Sequence, residues 1–236
     1  MMKVGAIIKA VRWCIDEEAM NAADFANASS NDNTLMDNII RNKIPDALRW
    51  VCLYAPAEQL SGGSSSSSSG GSSSTTIDII QEDTNQVASN NVLTPTKTLI
   101  RVIRVKGTDW HRAILGDSLI KEDSDEYLQL HDENGAAATK DRPQAALVNT
   151  KMKKVEVWPA ENGDKFELTY IKAISASDLT NLDKDETEVG IPGQVETSFI
   201  YYLAYLLLTA YGDARAKSMF DVATLNLGRS EDKQRQ

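Results

Sequence analysis

Apolar side chains recur at three- and four-residue steps across residues 194–227, which is the spacing of one face of an α-helix. The positions that set this period are Val195, Phe199, Leu203, Leu206, Ala210 and Ala214. Within this segment, residues 199–211 read FIYYLAYLLLTAY and are apolar on almost every side of such a helix. The pattern predicts one long C-terminal helix that must be covered on every side. At this point an ordinary core helix and a helix shared with a second chain are both open interpretations.

Two helical segments are predicted ahead of this helix, within residues 1–60. The first covers residues 3–25, and its apolar stripe is formed by Val4, Ile7, Ile8, Val11 and Ile15. The second contains Pro45, which predicts either one kinked helix or two short helices, ending near Tyr54. We therefore interpret residues 1–60 as the N-terminal helices of a helical layer.

A tract of serine and glycine follows at residues 61–76, with the sequence SGGSSSSSSGGSSSTT. Such a composition buries no apolar surface and is typical of a flexible coil. The tract is predicted to be a flexible loop. It is interpreted either as a linker between domains or as a long surface loop, which neighbouring subunits can order.

From residue 77 onwards, apolar and polar residues alternate in short runs, which predicts a β-rich insert over residues 77–190. The candidate strands are residues 99–105, 127–131 and 145–149. The clearest signal is a hairpin over residues 153–174, in which Asn162-Gly163 separates two alternating runs.

The order of these elements predicts an α+β protein. Two N-terminal helices and the long C-terminal helix are expected to form a helical bundle, with an antiparallel β region inserted between them. Residues 191–236 are assigned to the long helix and a polar tail.

The formal net charge of the 236 residues is −9 at pH 7. Nonspecific affinity for nucleic acid comes mainly from Lys and Arg contacts to phosphates, so this charge disfavours tight binding of that kind. It is compatible with a protein past which DNA slides. Cys14 and Cys52 match neither a metal motif nor a disulfide framework, and we read them as buried thiols in a reducing cytosol. Neither a signal peptide nor a membrane span is predicted.

No pattern predicts a catalytic, cofactor or metal site, so we predict that the chain is not an enzyme. His111 and His131 lack partners at metal-ligand spacing. The acidic runs at residues 122–126 and 183–188 lack the glycine turn of a calcium loop and are interpreted as solvated loops. A small basic patch with one aromatic residue comprises Arg101, Arg104, Lys106, Arg112 and Trp110. Alternating arginines also keep an exposed strand face soluble, and this is the interpretation we favour for the patch.

Four segments carry a resemblance to a known family: residues 46–54 (DALRWVCLY), 99–110, 153–170 and 199–216. In this order they resemble the head-to-tail connector, or adaptor, proteins of tailed double-stranded-DNA bacteriophages, especially short-tailed and crAss-like ones. The resemblance implies a virion structural protein that is made in the host bacterial cytoplasm. It also implies a ring, commonly of twelve copies, that joins the portal protein to the next tail or neck protein.

In such a ring DNA passes through the channel without specific binding, and the protein contacts no membrane. Neighbouring copies would pack side by side through the C-terminal helix. The subunit interface residues expected on this basis are Phe199, Tyr202, Leu203, Leu206 and Leu207. The tail residues expected to contact the portal or a neighbour are Arg229, Lys233 and Arg235. No cofactor is implied.

Two alternatives remain at this stage. One is a monomeric ligand-binding module that uses the β insert, with Trp110, Trp158 and Arg104 as candidate contacts. The other is a metal-dependent hydrolase or nuclease that uses the acidic loop containing Asp123 and Asp125.

Overall fold

A computed structural model of the chain describes residues 1–15, 30–61, 76–132, 138–148, 154–161 and 163–228. Its contacts divide the chain into two compact units. The first unit comprises Met1–Asp78 and Ile174–Gln236, and the second, Ile79–Ala173, is inserted between these two parts. Helices and sheets both occur, which confirms the α+β class.

The helices and strands are numbered in chain order. The α-helices are α1 (Val4–Ile15), α2 (Ser30–Tyr54), α3 (Ala57–Ser61), α4 (Asp125–His131), α5 (Ala176–Asn181), α6 (Glu196–Ala210) and α7 (Ala216–Asn226). The strands are β1 (Met2–Lys3), β2 (Thr76–Asp78), β3 (Ile80–Val87), β4 (Val92–Leu93), β5 (Leu99–Gly107), β6 (Ile114–Leu115), β7 (Ile120–Lys121), β8 (Gln144–Val148), β9 (Lys154–Trp158), β10 (Lys165–Lys172) and β11 (Glu188–Gly190). Gly116–Ser118 and Gly193–Val195 form short 3-10 helices.

Helix α6 is the centre of the first unit, where it contacts α1, α2 and α7. Its buried residues are Ser198, Phe199, Ile200, Leu203, Ala204, Leu207 and Leu208. The predicted stripe of α1 is buried along its whole length, so that prediction is confirmed. Because burying one aliphatic side chain stabilises a fold by about 1.5–3 kcal/mol, this shared interior is the main source of stability in the first unit.

The single long C-terminal helix that we predicted is wrong, because α6 and α7 are separate helices. The chain leaves α6 at Gly212, whose φ of 69° is left-handed and suits glycine. The Gly212 N–H donates to the Thr209 carbonyl (3.1 Å), and the Asp213 N–H donates to the Leu208 carbonyl (3.0 Å). These two bonds form a Schellman cap, which ends the helix and lets α7 pack back against α6.

Helix α2 is one continuous helix that contains Pro45, so the chain is not split at this position. It ends at Tyr54, as expected. Arg12 ties α1 to α2, because its Nε and Nη2 atoms donate to Asp37 Oδ1 at 2.9 and 2.6 Å. A small sheet with the order β1-β11-β2 also belongs to the first unit.

The second unit is built from two four-stranded sheets, ordered β3-β10-β5-β6 and β4-β9-β8-β7. All neighbours in these sheets are antiparallel except β7 and β8, which are parallel. The core that the sheets share comprises Ala88, Leu93, Leu99, Val102, Val105, Trp110, Ile114, Ala145, Val155, Val157, Phe166, Leu168 and Tyr170. Both sheets therefore contribute inward-facing residues to one interior.

The predicted hairpin over residues 153–174 is wrong, although both of its strands exist. Strand β9 pairs with β4 and β8, whereas β10 pairs with β3 and β5, so the two strands lie in different sheets. The intervening segment is a corner between sheets. Asn162 lies outside the described residues, and Gly163 has a left-handed φ of 99°. Alternating strands that face one core from opposite sheets show the same sequence pattern as a hairpin.

Three other predicted segments differ from the structure. Residues 127–131 were expected to form a strand but belong to α4, which Ser124 caps by accepting a hydrogen bond from the Tyr127 N–H. The compact β unit ends at Ala173, so α5 and β11 of the predicted insert 77–190 fall in the first unit. The serine–glycine tract lies outside the described residues apart from Ser61 and Thr76.

A buried carboxylate organises the loop between β4 and β5. Asp83 is 6% exposed, and its oxygens accept hydrogen bonds from the Thr96 N–H (2.9 Å) and hydroxyl (2.7 Å). They also accept from the side-chain amides of Gln81 (3.2 Å) and Gln86 (3.1 Å). These bonds compensate for the burial of a charge and attach the loop to β3.

We predict that Asp83→Asn lowers the free energy of unfolding of the second unit by about 2–3 kcal/mol. The variant keeps the shape of the side chain but turns an N–H2 group towards donors. Urea denaturation measures the change, and the exposed neighbour Glu82→Ala serves as the control with an expected change of about 0.5 kcal/mol or less. Equal stability of the two variants would contradict the assigned role of Asp83.

Gly116 is a position in the second unit at which a larger side chain does not fit. A Cβ atom there would lie 1.9 Å from the Val102 carbonyl oxygen, which belongs to backbone and has little room to move. Gly116→Ala is therefore expected to destabilise the second unit by about 1–3 kcal/mol in the same assay. For Gly193→Ala, whose Cβ atom meets nothing within 4 Å, we expect little change. A neutral Gly116→Ala variant would show that the close approach is absent.

Candidate functional site

Five aromatic side chains form a continuous cluster on the first unit, which we call the aromatic patch. Its members are Trp50 and Tyr54 of α2, Tyr202 and Tyr205 of α6, and Phe220 of α7. The residues from α2 are four positions apart and those from α6 are three apart, so each pair lies on one face of its helix. The packing of α2 and α7 against α6 then brings the three faces together.

The rings of the aromatic patch are in direct contact. Trp50 and Tyr202 stack with centroids 4.0 Å apart and an interplanar angle of 5°. Tyr205 and Phe220 lie 5.1 Å apart, and Tyr54 lies 5.8 Å from Trp50. Aromatic pairs at such separations are worth about 0.5–1.5 kcal/mol each beyond their buried area. The patch is therefore an ordered surface.

The described part of the chain covers the aromatic patch only partly. Tyr54 is 45% exposed and Phe220 is 37% exposed, while Trp50, Tyr202 and Tyr205 are half-buried. Burial raises the pKa of Tyr202, and the neighbouring Tyr205 and Asp46 add to the effect, so its hydroxyl stays neutral at physiological pH. A contiguous, partly exposed aromatic surface is typical of a protein interface.

The structure narrows the subunit interface that we predicted. Phe199, Leu203 and Leu207 are 0%, 0% and 2% exposed, because α6 is covered on that side by its own chain. They present no surface to a second copy, which corrects their assignment. Tyr202 and Leu206 are half-buried and can still take part in an interface. The predicted tail contacts Arg229, Lys233 and Arg235 lie outside the described residues.

The second unit contains a smaller cluster around Glu156, which we call the Glu156 cluster. The Tyr127 hydroxyl donates to Glu156 Oε2 at 2.9 Å, and His131 Nε2 lies 3.3 Å from the same oxygen. Both rings meet Trp158 edge to face, with centroids at 6.3 Å from Tyr127 and 5.5 Å from His131. The cluster joins α4 to β9.

The residues proposed as ligand contacts occupy different settings. Trp110 is 5% exposed, donates its Nε1–H to the Pro159 carbonyl (3.1 Å) and packs against Phe166 at 5.5 Å, so it is a core residue. Trp158 is half-buried in the Glu156 cluster, and Arg104 is half-buried on β5. Trp110 is therefore too buried to contact a ligand.

Two of the other candidate residues pair with neighbouring side chains. His111 pairs with Asp141, and Arg101 pairs with Asp117 at 2.5 Å. Over the described residues, which include Asp123, no group of three or more His, Cys, Asp or Glu side chains is placed to hold a metal ion. In the same part of the chain, no helix has the length and apolar character needed to cross a membrane.

The sequence analysis named only Tyr202 of the aromatic patch, and it missed the two residues from α2, Tyr205, Phe220 and the Glu156 cluster. The signal for the first was present, because Trp50 and Tyr54 are spaced four residues apart in a helical segment. Glu156 and Trp158 alternate with the buried Val155 and Val157, which places them on the outer face of β9. Their partners on α4 were hidden by the wrong strand assignment.

The Glu156 cluster generates a prediction at alkaline pH. Burial raises the pKa of Tyr127 to about 12, and the hydrogen bond to Glu156 adds to the effect. An unfolded tyrosine loses its proton near pH 10, so the stabilisation by Tyr127 is complete below about pH 10 and is lost as pH rises towards 12. The part of the loss that comes from Tyr127 should be absent in Tyr127→Phe, so this variant should lose less stability between pH 9 and 12 than the control Tyr211→Phe, as followed by urea denaturation.

A second readout of this prediction is the absorbance of tyrosinate. The difference between the parent protein and Tyr127→Phe should contain one tyrosine that titrates near pH 12. Titration of that difference near pH 10 would contradict the burial and hydrogen bonding of Tyr127.

The described residues therefore form two candidate sites, an aromatic surface on helices and a hydrogen-bonded cluster on a sheet. A comparison with models of protein families gives no match, and neither does a comparison with curated proteins.

Proposed function

We propose that this protein is a structural component of a tailed-bacteriophage virion, where copies form a ring in the head-to-tail connector. The ring joins the portal to the tail and lines the channel through which DNA passes. The proposal combines the sequence resemblance with the aromatic patch. It assigns no catalytic activity and no cofactor to the chain.

The observation that carries this proposal is the partial exposure of the aromatic patch. Trp and Tyr are enriched among the residues that contribute most to binding, and such residues cluster where a partner excludes water. An aromatic surface that stays in water loses this contribution. In a head-to-tail contact, each copy covers the aromatic patch of one neighbour, and its own patch is covered by the other neighbour. Such a contact closes into a ring when the rotation between copies allows it.

The charge of the chain supports a channel through which DNA moves. Its formal net charge is −9, and like charge keeps DNA from adhering to the wall. The proposed partners are further copies of the chain, the portal protein, and the next protein of the tail or neck. The proposed ring contains twelve copies, the number common in the family that the sequence resembles. In this account the tail residues Arg229, Lys233 and Arg235 face the portal or a neighbouring copy, and the protein resides in the virion.

The proposal is tested by the mass of the purified protein. Mass photometry of the protein, alone and after mixing with the portal protein, should give the mass of a multi-copy assembly. Negative-stain electron microscopy should show that this assembly is a closed ring and reveal its symmetry. A monomer that stays a monomer with the portal would contradict the proposal and favour a ligand-binding module.

The aromatic patch makes this test specific. We expect the double variant Tyr54→Ser/Phe220→Ser to weaken assembly at least about tenfold, since truncating a central interface residue typically costs 1–2 kcal/mol or more. Both side chains are more than one-third exposed, so the monomer should keep its fold and its circular dichroism spectrum, while the loss of their ring contacts lowers its melting temperature. The control is Leu128→Ser, an apolar residue that is 64% exposed on the second unit. Equal assembly of the double variant and the control would remove the patch from the interface.

A further inference from the structure

Helix α4 is attached to the second unit without a buried side chain of its own. None of its seven residues, Asp125–His131, is buried, and Leu128 is 64% exposed. A helix of this length is not stable alone, because nucleation is unfavourable and few hydrogen bonds follow it. Its position therefore depends on its cap at Ser124, on its contact with β7 and on the side chains of the Glu156 cluster.

The Glu156 cluster joins α4 to the outer face of the sheet through a single carboxylate oxygen. Glu156 Oε2 accepts from the Tyr127 hydroxyl at 2.9 Å and lies 3.3 Å from His131 Nε2. The Glu156 side chain is 16% exposed and that of His131 is 50% exposed. The Tyr127 and His131 rings, 4.7 Å apart, both meet the edge or face of Trp158.

His131 gives this contact a dependence on pH. Histidine is the side chain whose charge ordinarily changes between pH 5 and 8. A protonated imidazole donates to a carboxylate in a charge-assisted hydrogen bond, which is shorter and stronger than a neutral one. His131 is also in the last turn of α4, where a positive charge interacts favourably with the helix dipole. Both effects favour the docked helix when His131 is charged.

The other charged groups near this helix do not reverse the effect. The outer face of strand β9 contributes Lys154 and Glu156, and the chain before α4 contributes Lys121 and Glu122, of which Glu122 acts on Tyr127. Within and just after the helix lie Asp125, Glu126 and Asp132. The carboxylates outnumber the lysines in this group, so its summed charge attracts a positive imidazole at His131.

We propose that α4 is an acid-tightened latch, in which protonation of His131 strengthens its attachment to Glu156 and closes the helix over Trp158. At higher pH the neutral imidazole holds the helix less firmly, and α4 opens more often from the outer face of β9. The inference is independent of the proposed ring, because it concerns the second unit alone.

Hydrogen exchange of the backbone amides of α4 tests the latch. After correction for the intrinsic rates, the protection of the amides at residues 128–131 in the parent protein should be about two- to fivefold higher at pH 5.5 than at pH 8.0, the size expected for a partly exposed ion pair. His131→Gln should remove this dependence. The matched control is His111→Gln, which removes the other histidine of the chain and should leave the dependence intact.

A second variant keeps the test decisive if His131→Gln loosens α4 altogether. Glu156→Gln retains an oxygen that accepts from Tyr127 but carries no charge, so α4 should remain protected with no difference between pH 5.5 and 8.0. Equal protection of the parent protein at both pH values, or an unchanged dependence in both His131→Gln and Glu156→Gln, would overturn the latch.

Discussion

The constraint on which the first unit depends is the covering of α6, a helix that is apolar on nearly every side. An exposed apolar surface of this size is costly, and each aliphatic side chain removed from water contributes about 1.5–3 kcal/mol. The chain meets this constraint with α1, α2 and α7, which all contact α6. The turn at Gly212 makes the third of these contacts possible, because it reverses the chain and returns α7 to the helix it has just left.

The aromatic patch follows from the limit of this covering. Three helices around a fourth leave the junctions between them open, and aromatic residues occupy the junction where α2 and α7 meet α6. Tyr202 and Tyr205 are half-buried there, whereas Phe199 and Leu203 on the other side are fully buried. The aromatic patch therefore offers a partner a large apolar contact area. Because aromatic side chains have few rotatable bonds, they lose little conformational entropy on binding.

Local patterns were enough to predict the elements that bury one regular face. The stripe of α1 from Val4 to Ile15 and the strand at β5 were both found by periodicity. The errors occurred where the decision depends on contacts distant in sequence. The pairing of β9 with β8, and the corner before β10, depend on which sheet each strand joins, and alternation carries no information on that choice.

The candidate sites show the same division. Tyr202 and Leu206 could be named from the helix alone, but the burial of Leu207 depends on which neighbours cover it. The partners of Glu156 required the correct structure at residues 125–131, where a Ser124 cap outweighed a weak strand pattern. Asp83 is a similar case, since two of its hydrogen bonds come from Thr96, which lies 13 residues away in sequence.

The central claim is that a second copy covers the aromatic patch, and hydroxyl-radical footprinting measures this coverage residue by residue. Oxidation of Trp50, Tyr54 and Phe220 should fall when the protein is concentrated enough to assemble, while oxidation of Trp13, which is 58% exposed on α1, serves as the internal reference. The account predicts selective protection of the patch in the assembled protein. Patch residues that oxidise at the same rate in the monomer and in the assembly would contradict it.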